Sequence, residues 1–156
     1  DNQQPIQNLQ FVSLEQIMKP IIADAQFEAE QKGKQLYYQA DENISLHADP
    51  QLLSSGIENI LRNAIHYSNH LIQVSVSAQD KHIEWVIEDD GNGIDESQLC
   101  RIFEAFYRES TARDRNSGGV GLGLAIAQHV IDKHQGFIQA MNKKQGGLFV
   151  KVSIPF

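Results

Sequence analysis

The sequence predicts an α/β sandwich, in which helices cover one face of a mostly antiparallel mixed sheet. Several segments carry apolar residues at helical spacing, and others alternate apolar and polar residues on either side of short turns. With 156 residues and 41% hydrophobic content, the chain is long enough for one core and too short for two ordinary domains. We therefore expect one compact domain.

The composition excludes several classes of function. A net charge of -7, from 20 acidic and 13 basic residues, gives no basic field for a phosphate backbone, so we expect no nucleic acid partner. A lone cysteine, Cys100, favours a reducing compartment. No apolar run approaches the roughly 18 to 20 residues that span a bilayer. The polar residues 1–10 are expected to end an upstream linker, and residues 11–156 to form the domain.

The first elements are predicted to be a helix and two strands. Ser13 precedes apolar residues at helical spacing, and Gly33 follows the last of them. Residues 36–40 and 44–48 are short enough for strands, and the polar residues 41–43 between them suit a turn.

A second helix and a hairpin follow. Asp49 is a suitable cap with Pro50 in the first turn, and the helix is predicted to run to about Tyr67. Residues 72–77 and 83–88 both alternate apolar with polar side chains across a short turn, which favours a hairpin.

The remaining chain is predicted to contain a short helix, a loop, a helix and a hairpin. The short helix is expected over 97–106, and the polar, aperiodic residues 108–119 are expected to form a mobile loop. Helical spacing returns over 122–134, and 137–141 with 148–154 suit a last hairpin.

The helix that ends near Tyr67 carries an unusual polar stripe formed by Asn59, Asn63 and His66, opposite its apolar residues. Asparagine is a poor helix former, so two of them one turn apart reduce helix stability. One interpretation is an amide oxygen that completes an octahedral magnesium shell otherwise made of phosphates and water. A solvated polar face is the simpler alternative.

Two aspartates end the strand of the first hairpin. By alternation Asp89 continues the buried face of that strand, whereas Asp90 continues the polar face. A buried carboxylate needs donors, which an adenine amino group and an ordered water would supply. Gly91 and Gly93 would permit positive φ and a close approach to a flat ring. A turn closed by Asp and Gly is the alternative.

A glycine-rich segment leads into the third long helix, with glycines at positions 119, 121 and 123. Bare N–H groups and the positive end of a helix form an anion site. No Gly-Lys-Ser/Thr follows and no strand leads in, so this is neither a P-loop nor a dinucleotide fingerprint. Close helix packing is the alternative.

An aromatic segment, Phe103 to Arg108, precedes the loop. Phe103 most simply anchors this segment to the core, whereas Arg108 is placed to reach a terminal phosphate. The cations available to offset a triphosphate are Arg62, His66, Arg108, Arg113, Arg115 and a metal ion.

In order and spacing, these segments resemble the sequence boxes of sensor histidine kinases, in the HATPase/GHKL superfamily. Residues 103–126 are most similar to envelope-stress sensor kinases of enteric-type bacteria. The matching segments are 58–68 for the N box, 89–94 for the first glycine box, 103–108 for the F box and 119–124 for the second glycine box. Residues 146–149 also resemble the last glycine turn of that family. The resemblance implies a Bergerat-type fold that holds ATP or ADP with Mg between the N-box helix and a lid over about 108–119.

The resemblance also implies roles for individual residues. Asn63 would bind the metal, Asp89 would read the adenine, and Asn59, Asn63 and Arg108 would be catalytic. The nucleotide-binding residues would be Asn59, Asn63, His66, Tyr67, Asp89, Gly91, Gly93, Ile94, Tyr107, Arg108, Gly119, Val120, Gly121, Leu122, Gly123 and Leu124.

Two positions depart from the family pattern. His66 stands where the family usually has Lys or Arg, and Val120 where it often has Thr or Ser. If His66 contributes to binding, nucleotide affinity is expected to rise at lower pH, since a neutral imidazole contacts phosphate more weakly than a charged one.

The resemblance favours phosphoryl transfer to protein over hydrolysis. Relatives such as gyrase and heat-shock chaperones have a water-activating Glu at the position of Asn59, and Glu58 is turned by about 100° around the helix. None of the six histidines has the setting of a phosphoacceptor. The implied partners are a dimerisation and phosphoacceptor domain of the same protein and a response regulator, and the implied location is the cytoplasmic side of an inner-membrane sensor. Two alternatives remain, a clamp-type ATPase and a nucleotide-binding regulatory module.

Overall fold

The computed structural model describes residues 6–104 and 122–156. Three α-helices, seven strands and one 3-10 helix lie in these ranges. In chain order they are β1 (Gln10–Ser13), α1 (Leu14–Gln31), β2 (Gln35–Ala40), β3 (Ser45–Ala48), α2 (Pro50–Tyr67), β4 (Leu71–Gln79), β5 (His82–Asp89), the 3-10 helix (Glu96–Arg101), α3 (Leu122–Lys133), β6 (Phe137–Asn142) and β7 (Leu148–Pro155).

The main sheet has five strands in the order β2-β4-β5-β7-β6. Only the β2–β4 pair is parallel, and the other three pairs are antiparallel. Both predicted hairpins, β4–β5 and β6–β7, are present. The predicted α/β sandwich with a mostly antiparallel mixed sheet is therefore confirmed.

The strands on either side of the 41–43 turn belong to different sheets. β2 forms an edge of the five-stranded sheet, whereas β3 pairs with β1 in a separate antiparallel ribbon, with Phe11 opposite His47. Sequence analysis does not predict β1, because residues 10–13 form a strand only by pairing with residues 45–48, which are distant in sequence.

Helix α2 begins as its cap predicts. The Asp49 side chain accepts hydrogen bonds from the backbone N–H groups of Gln51 and Leu52, both at 3.1 Å. These bonds satisfy two of the donors that a helix start leaves without partners. They fix the first turn of the helix that carries both asparagines of the polar stripe.

The core lies between the helices and one face of the sheet. In β5 the side chains of Ile83, Trp85 and Ile87 are buried, while their sequence neighbours are only partly covered. The short helix predicted over 97–106 is a 3-10 helix that ends at Arg101. Within the described ranges, no helix combines the length and hydrophobicity needed to cross a lipid bilayer.

Candidate functional site

Asn63 lies on the buried side of α2. Its side chain is 3% exposed, and its Oδ1 atom has no hydrogen-bond partner in the described part of the chain. A buried acceptor left without a donor costs about 1–3 kcal/mol. A solvated polar face therefore does not describe Asn63, whose buried amide oxygen keeps an unused hydrogen-bond acceptor.

The other two members of the polar stripe are half-buried. The Asn59 Nδ2 donates to the Ser55 carbonyl at 2.7 Å, one turn back along the helix. The His66 ring meets the Tyr67 ring edge-on, with centroids 4.7 Å apart. Both asparagines and His66 thus follow one side of α2, but only Asn63 is fully enclosed.

Glu58 is directed away from this site. Its carboxylate lies 4.0 Å from the Arg62 guanidinium, one helical turn along, and both side chains are about half exposed to solvent. The expectation that Glu58 points away from the stripe of Asn63 is confirmed. No carboxylate of α2 therefore flanks the amide oxygen of Asn63.

Asp89 is buried at the end of β5, as the alternation of that strand predicts. It is 4% exposed, and its Oδ1 accepts from the N–H groups of Gly91 at 2.8 Å and Leu148 at 3.2 Å. Burial raises the pKa of this carboxyl above its ordinary value, and the two backbone hydrogen bonds oppose the rise. Within the described residues both bonds reach Oδ1, which leaves Oδ2 for a ligand.

Asp90 has a different role, on the solvent side of the strand. Its carboxylate accepts from the backbone N–H groups of Asn69 at 2.8 Å, His70 at 3.0 Å and Leu71 at 3.1 Å. Partial burial raises its pKa, but the backbone hydrogen bonds outweigh this effect and hold the pKa below its ordinary value. Asp90 thus anchors the connection between α2 and β4, a role that the sequence does not reveal.

Gly91 and Gly93 are required for different reasons. A Cβ on Gly91 would lie 2.1 Å from the Tyr67 carbonyl oxygen, so Gly91 brings the end of β5 against the end of α2. Its φ is not positive, contrary to expectation, and the close approach is to backbone. Gly93 does adopt a positive φ, of 74°. Tyr67 and the Asp89–Gly91 segment are thereby brought together.

Lys34 closes the C-terminal end of α2. Its Nζ donates to the Ile65 carbonyl at 2.6 Å and approaches the His66 carbonyl at 3.5 Å. Burial and the neighbouring Lys32 lower the pKa of this ammonium group. The contact spans 31 residues in sequence, so no local pattern predicts it.

Ile94 is buried, and its main chain is bonded by a side chain from β6. The Asn142 Oδ1 accepts from the Ile94 N–H at 2.8 Å, and the Asn142 Nδ2 donates to the Ile94 carbonyl. Sequence analysis names Ile94 but not Asn142, because nothing local to Asn142 indicates the contact.

The remaining expected site residues are described in part or not at all. Leu122 and Gly123 are the first residues of α3, and Leu124 is 1% exposed, so its side chain belongs to the core. Outside the described residues lie the lid over about 108–119 and the expected contacts Tyr107, Arg108, Gly119, Val120 and Gly121.

Residues 48–156 match the model of the family described as histidine kinase-, DNA gyrase B- and HSP90-like ATPases. The chain belongs to this family. The match includes α2, Asp89 and the start of α3. Together with the relatives that follow, it confirms the expected histidine kinase-type ATP-binding catalytic domain.

Among the relatives of this ATPase domain is the sensor histidine kinase CpxA of Escherichia coli K12. The two are 38% identical over 145 residues, which is 92% of this chain and 32% of the relative. The histidine-protein kinase BaeS of the same strain is 33% identical over 126 residues, 80% of this chain and 27% of the relative. The chain thus spans about a third of the length of these curated relatives.

Solved structures confirm the Bergerat-type fold of the domain. The catalytic domain of the histidine kinase ThkA has a TM-score of 0.82 at 20% identity, with 94% of this chain and 95% of that one covered. Full-length ShkA, solved with AMPPNP, has a TM-score of 0.83 at 23% identity, with 98% of this chain and 32% of that one covered.

Proposed function

We propose that this domain holds Mg-ATP and transfers its γ-phosphate to a histidine on a dimerisation domain of the same protein, for relay to an aspartate of a response regulator. Residues 11–156 form the ATP-binding unit, and residues 1–10 end a linker whose last residue, Gln10, also begins β1. The lid is proposed to cover about 108–119. The protein is a sensor of the inner membrane with this domain on the cytoplasmic side.

The observation that carries the proposal is the unpartnered amide oxygen of Asn63. Magnesium prefers oxygen ligands and usually takes only one or two from protein, with phosphates and water completing its shell. No group of three acidic, His or Cys side chains suited to a metal occurs in the described ranges. A single neutral oxygen therefore fits a metal that arrives with a nucleotide, and the bound ion would neutralise phosphate charge.

Asp89 supplies the second support. Its Oδ1 is occupied by backbone donors from two segments, which fix the carboxylate in place. The Oδ2 atom can then accept a hydrogen bond from the exocyclic amino group of adenine. Guanine presents a carbonyl oxygen at the same ring position, which Asp89 would repel. The buried carboxylate thus reads the base, and Tyr67 and Ile94 form walls beside it.

The surroundings of Asn63 favour transfer over hydrolysis. In the reaction, an acceptor imidazole nitrogen attacks the γ-phosphorus, the bond to the β–γ bridging oxygen breaks, and ADP leaves with the electron pair. Water would need a base near the metal, yet Glu58 pairs with Arg62 in solvent and Asn59 bonds Ser55. Asn59 and Asn63 position the phosphates, and Arg108 with the backbone of 119–124 is proposed to complete the phosphate contacts.

The acceptor histidine belongs to another segment of the protein in this proposal. None of the six histidines precedes a Glu or Asp, the pattern that the family resemblance implies for the acceptor. Transfer therefore needs the dimerisation domain as partner.

The first experiment measures nucleotide binding. Isothermal titration with Mg-ATP compares the wild type with Asn63→Ala, Asp89→Ala and the control Asp24→Ala, which removes an exposed carboxylate of α1. Both site variants are expected to bind more than about tenfold more weakly, a loss of about 1.4 kcal/mol or more. Unchanged affinity in both site variants would contradict the proposed site.

The second experiment tests the transfer. Radiolabelled ATP is added to the chain alone and to the chain with a fragment that carries the acceptor helices. We expect acid-labile phosphohistidine only on the added fragment. Rapid ATP hydrolysis without labelled histidine would indicate a clamp-type ATPase, and nucleotide binding with neither result would indicate a regulatory module.

A further inference from the structure

We propose that Asn142 is a positioning residue for the base pocket, because the β6–β7 hairpin that carries it fixes Ile94 relative to Asp89 and thereby sets the selectivity for adenine. This inference rests on the proposed function, since it assigns Asn142 to the same pocket. Asn142 acts through Ile94 and is not assigned a contact with nucleotide.

The side-chain amide of Asn142 bonds both the N–H and the carbonyl of Ile94, as the backbone of a neighbouring strand would. The Asn142 Oδ1 accepts from the Ile94 N–H at 2.8 Å, and its Nδ2 donates to the Ile94 carbonyl at 2.5 Å. A second contact of Nδ2, with Glu96 Oε1, is longer at 3.3 Å. Residues 91–95 have no helix or strand of their own, so these bonds define the path of the backbone at Ile94.

The geometry of Gly93 admits this side chain. A Cβ at position 93 would lie 2.5 Å from the Asn142 Oδ1, and the backbone there has a φ of 74°. Any larger residue would displace the amide that bonds Ile94. Gly93 is therefore required for the contact between Asn142 and Ile94, in addition to the positive φ that it adopts after Asp89.

The same hairpin also holds Asp89. Leu148, the first residue of β7, donates its N–H to the Asp89 Oδ1 at 3.2 Å. A Cβ on Gly147 would lie 1.9 Å from the Asp89 carbonyl oxygen, so the two backbones are in direct contact. The hairpin is closed by a hydrogen bond from the Lys143 N–H to the Gly147 carbonyl at 2.9 Å.

One hairpin therefore fixes both sides of the proposed pocket. Asp89 is held by the start of β7, and Ile94 is held by the end of β6. Residues 92–95 have no strand or helix to hold them, so the hairpin supplies the contacts that set the distance from Asp89 to Ile94. If Asn142 is lost, Ile94 moves while Asp89 remains anchored. Adenine then loses its packing against Ile94, and the preference of the pocket for adenine over guanine becomes smaller.

The test combines nucleotide selectivity with the exchange of one amide proton. Asn142→Ala removes both bonds to Ile94, and Asn142→Asp keeps an acceptor but loses the donor. The control is Gln26→Ala, which removes a comparable side-chain bond to backbone, from Gln26 Nε2 to the Leu36 carbonyl at 3.2 Å, between α1 and β2. Binding of Mg-ADP and Mg-GDP is measured by calorimetry, and exchange of the Ile94 amide by NMR without nucleotide.

We expect Asn142→Ala to weaken Mg-ADP binding about tenfold and Mg-GDP binding less. The dissociation constant for Mg-GDP divided by that for Mg-ADP should therefore fall. The Ile94 amide should exchange at least about tenfold faster in this variant. Asn142→Asp keeps the acceptor for the Ile94 N–H but sets a carboxylate oxygen against the Ile94 carbonyl. Its Ile94 exchange should therefore lie between that of the wild type and that of Asn142→Ala. Gln26→Ala should leave both the ratio and the Ile94 exchange unchanged.

Either of two results would overturn this inference alone: an unchanged ratio of the Mg-GDP to the Mg-ADP dissociation constant in Asn142→Ala, or an unchanged exchange rate of the Ile94 amide in that variant. A wild-type chain that binds neither nucleotide would instead overturn the proposed function, and this inference with it. The wild-type titration therefore separates the two failures.

Discussion

His134 accepts a hydrogen bond at its Nε2 from the backbone N–H of Asp49, at 3.1 Å. Its Nδ1 lies 2.8 Å from the Val130 carbonyl oxygen, which accepts from it. Because one nitrogen accepts and the other donates, the ring is the neutral tautomer with the proton on Nδ1. His134 is 6% exposed and joins the end of α3 to the cap of α2, the helix that carries Asn63.

Replacing His134 with alanine should lower the free energy of unfolding by about 2–3 kcal/mol, because the buried N–H of Asp49 loses its acceptor and a cavity remains. Urea denaturation measures this loss. The control is His129→Ala, a partly exposed histidine of α3, which should cost less than about 1 kcal/mol. Equal losses in the two variants would show that the bond to Asp49 contributes nothing.

Lys34 contributes at the opposite end of α2. Its ammonium group caps the last carbonyls of the helix, where a positive charge also complements the helix dipole. Lys34→Met should retain the packing of the stem and lose about 1 kcal/mol of stability. Thermal unfolding of this variant is compared with Lys144→Met, which removes an exposed lysine. A loss in the control as large as in Lys34→Met would contradict the capping role.

Local signals account for what sequence analysis predicts correctly. Asp49 and Pro50 mark the start of α2 because capping is a property of adjacent residues. The buried position of Asp89 follows from two-residue alternation along β5. The motifs around Asn63 and Asp89 identify the family because their order along the chain is preserved.

The contacts that hold the site together have no local signal. Lys34, Asp90, Asn142 and His134 each bond backbone that is distant in sequence, by 31 residues for Lys34 and 85 for His134. Strand β1 is likewise defined by its pairing with β3. Such contacts depend on how the chain folds in three dimensions, so composition and spacing do not reveal them.

Asn63 should show a conflict between stability and function. Asn63→Leu replaces the unpartnered oxygen with an apolar group of similar size, which removes the cost of a buried acceptor without a donor. Without nucleotide, the variant should be as stable as the wild type or up to about 2 kcal/mol more stable. Mg-ATP should raise the melting temperature of the wild type but not of the variant, as measured by thermal shift. A destabilised variant that still responds to Mg-ATP would contradict this assignment.

Asp89 should make the stability of the nucleotide-free domain fall as pH rises. Burial raises the pKa of Asp89 in the folded state above the ordinary value of 3.8, so the folded state favours the protonated form. The unfolded chain releases this proton at lower pH than the folded one, and stability is therefore lost between the two pKa values. Asp89→Asn keeps an acceptor for Gly91 and Leu148 and does not titrate. Its stability relative to the wild type should increase from pH 3.8 upward and then level off.

Asp90 provides the control of opposite sign. The pKa of Asp90 is held below its ordinary value of 3.8 in the folded state. Its contribution to the stability of the fold is therefore present above pH 3.8 and is lost as pH falls through the folded-state pKa. The free energy of unfolding in urea is measured for the wild type, Asp89→Asn and Asp90→Asn at a series of pH values from acid to neutral. Subtracting the wild-type values gives one difference curve for each variant. Stability relative to the wild type should rise with pH for Asp89→Asn and fall with pH for Asp90→Asn. Two curves of the same slope would contradict the assignment of Asp89 as the buried carboxylate and Asp90 as the anchored one.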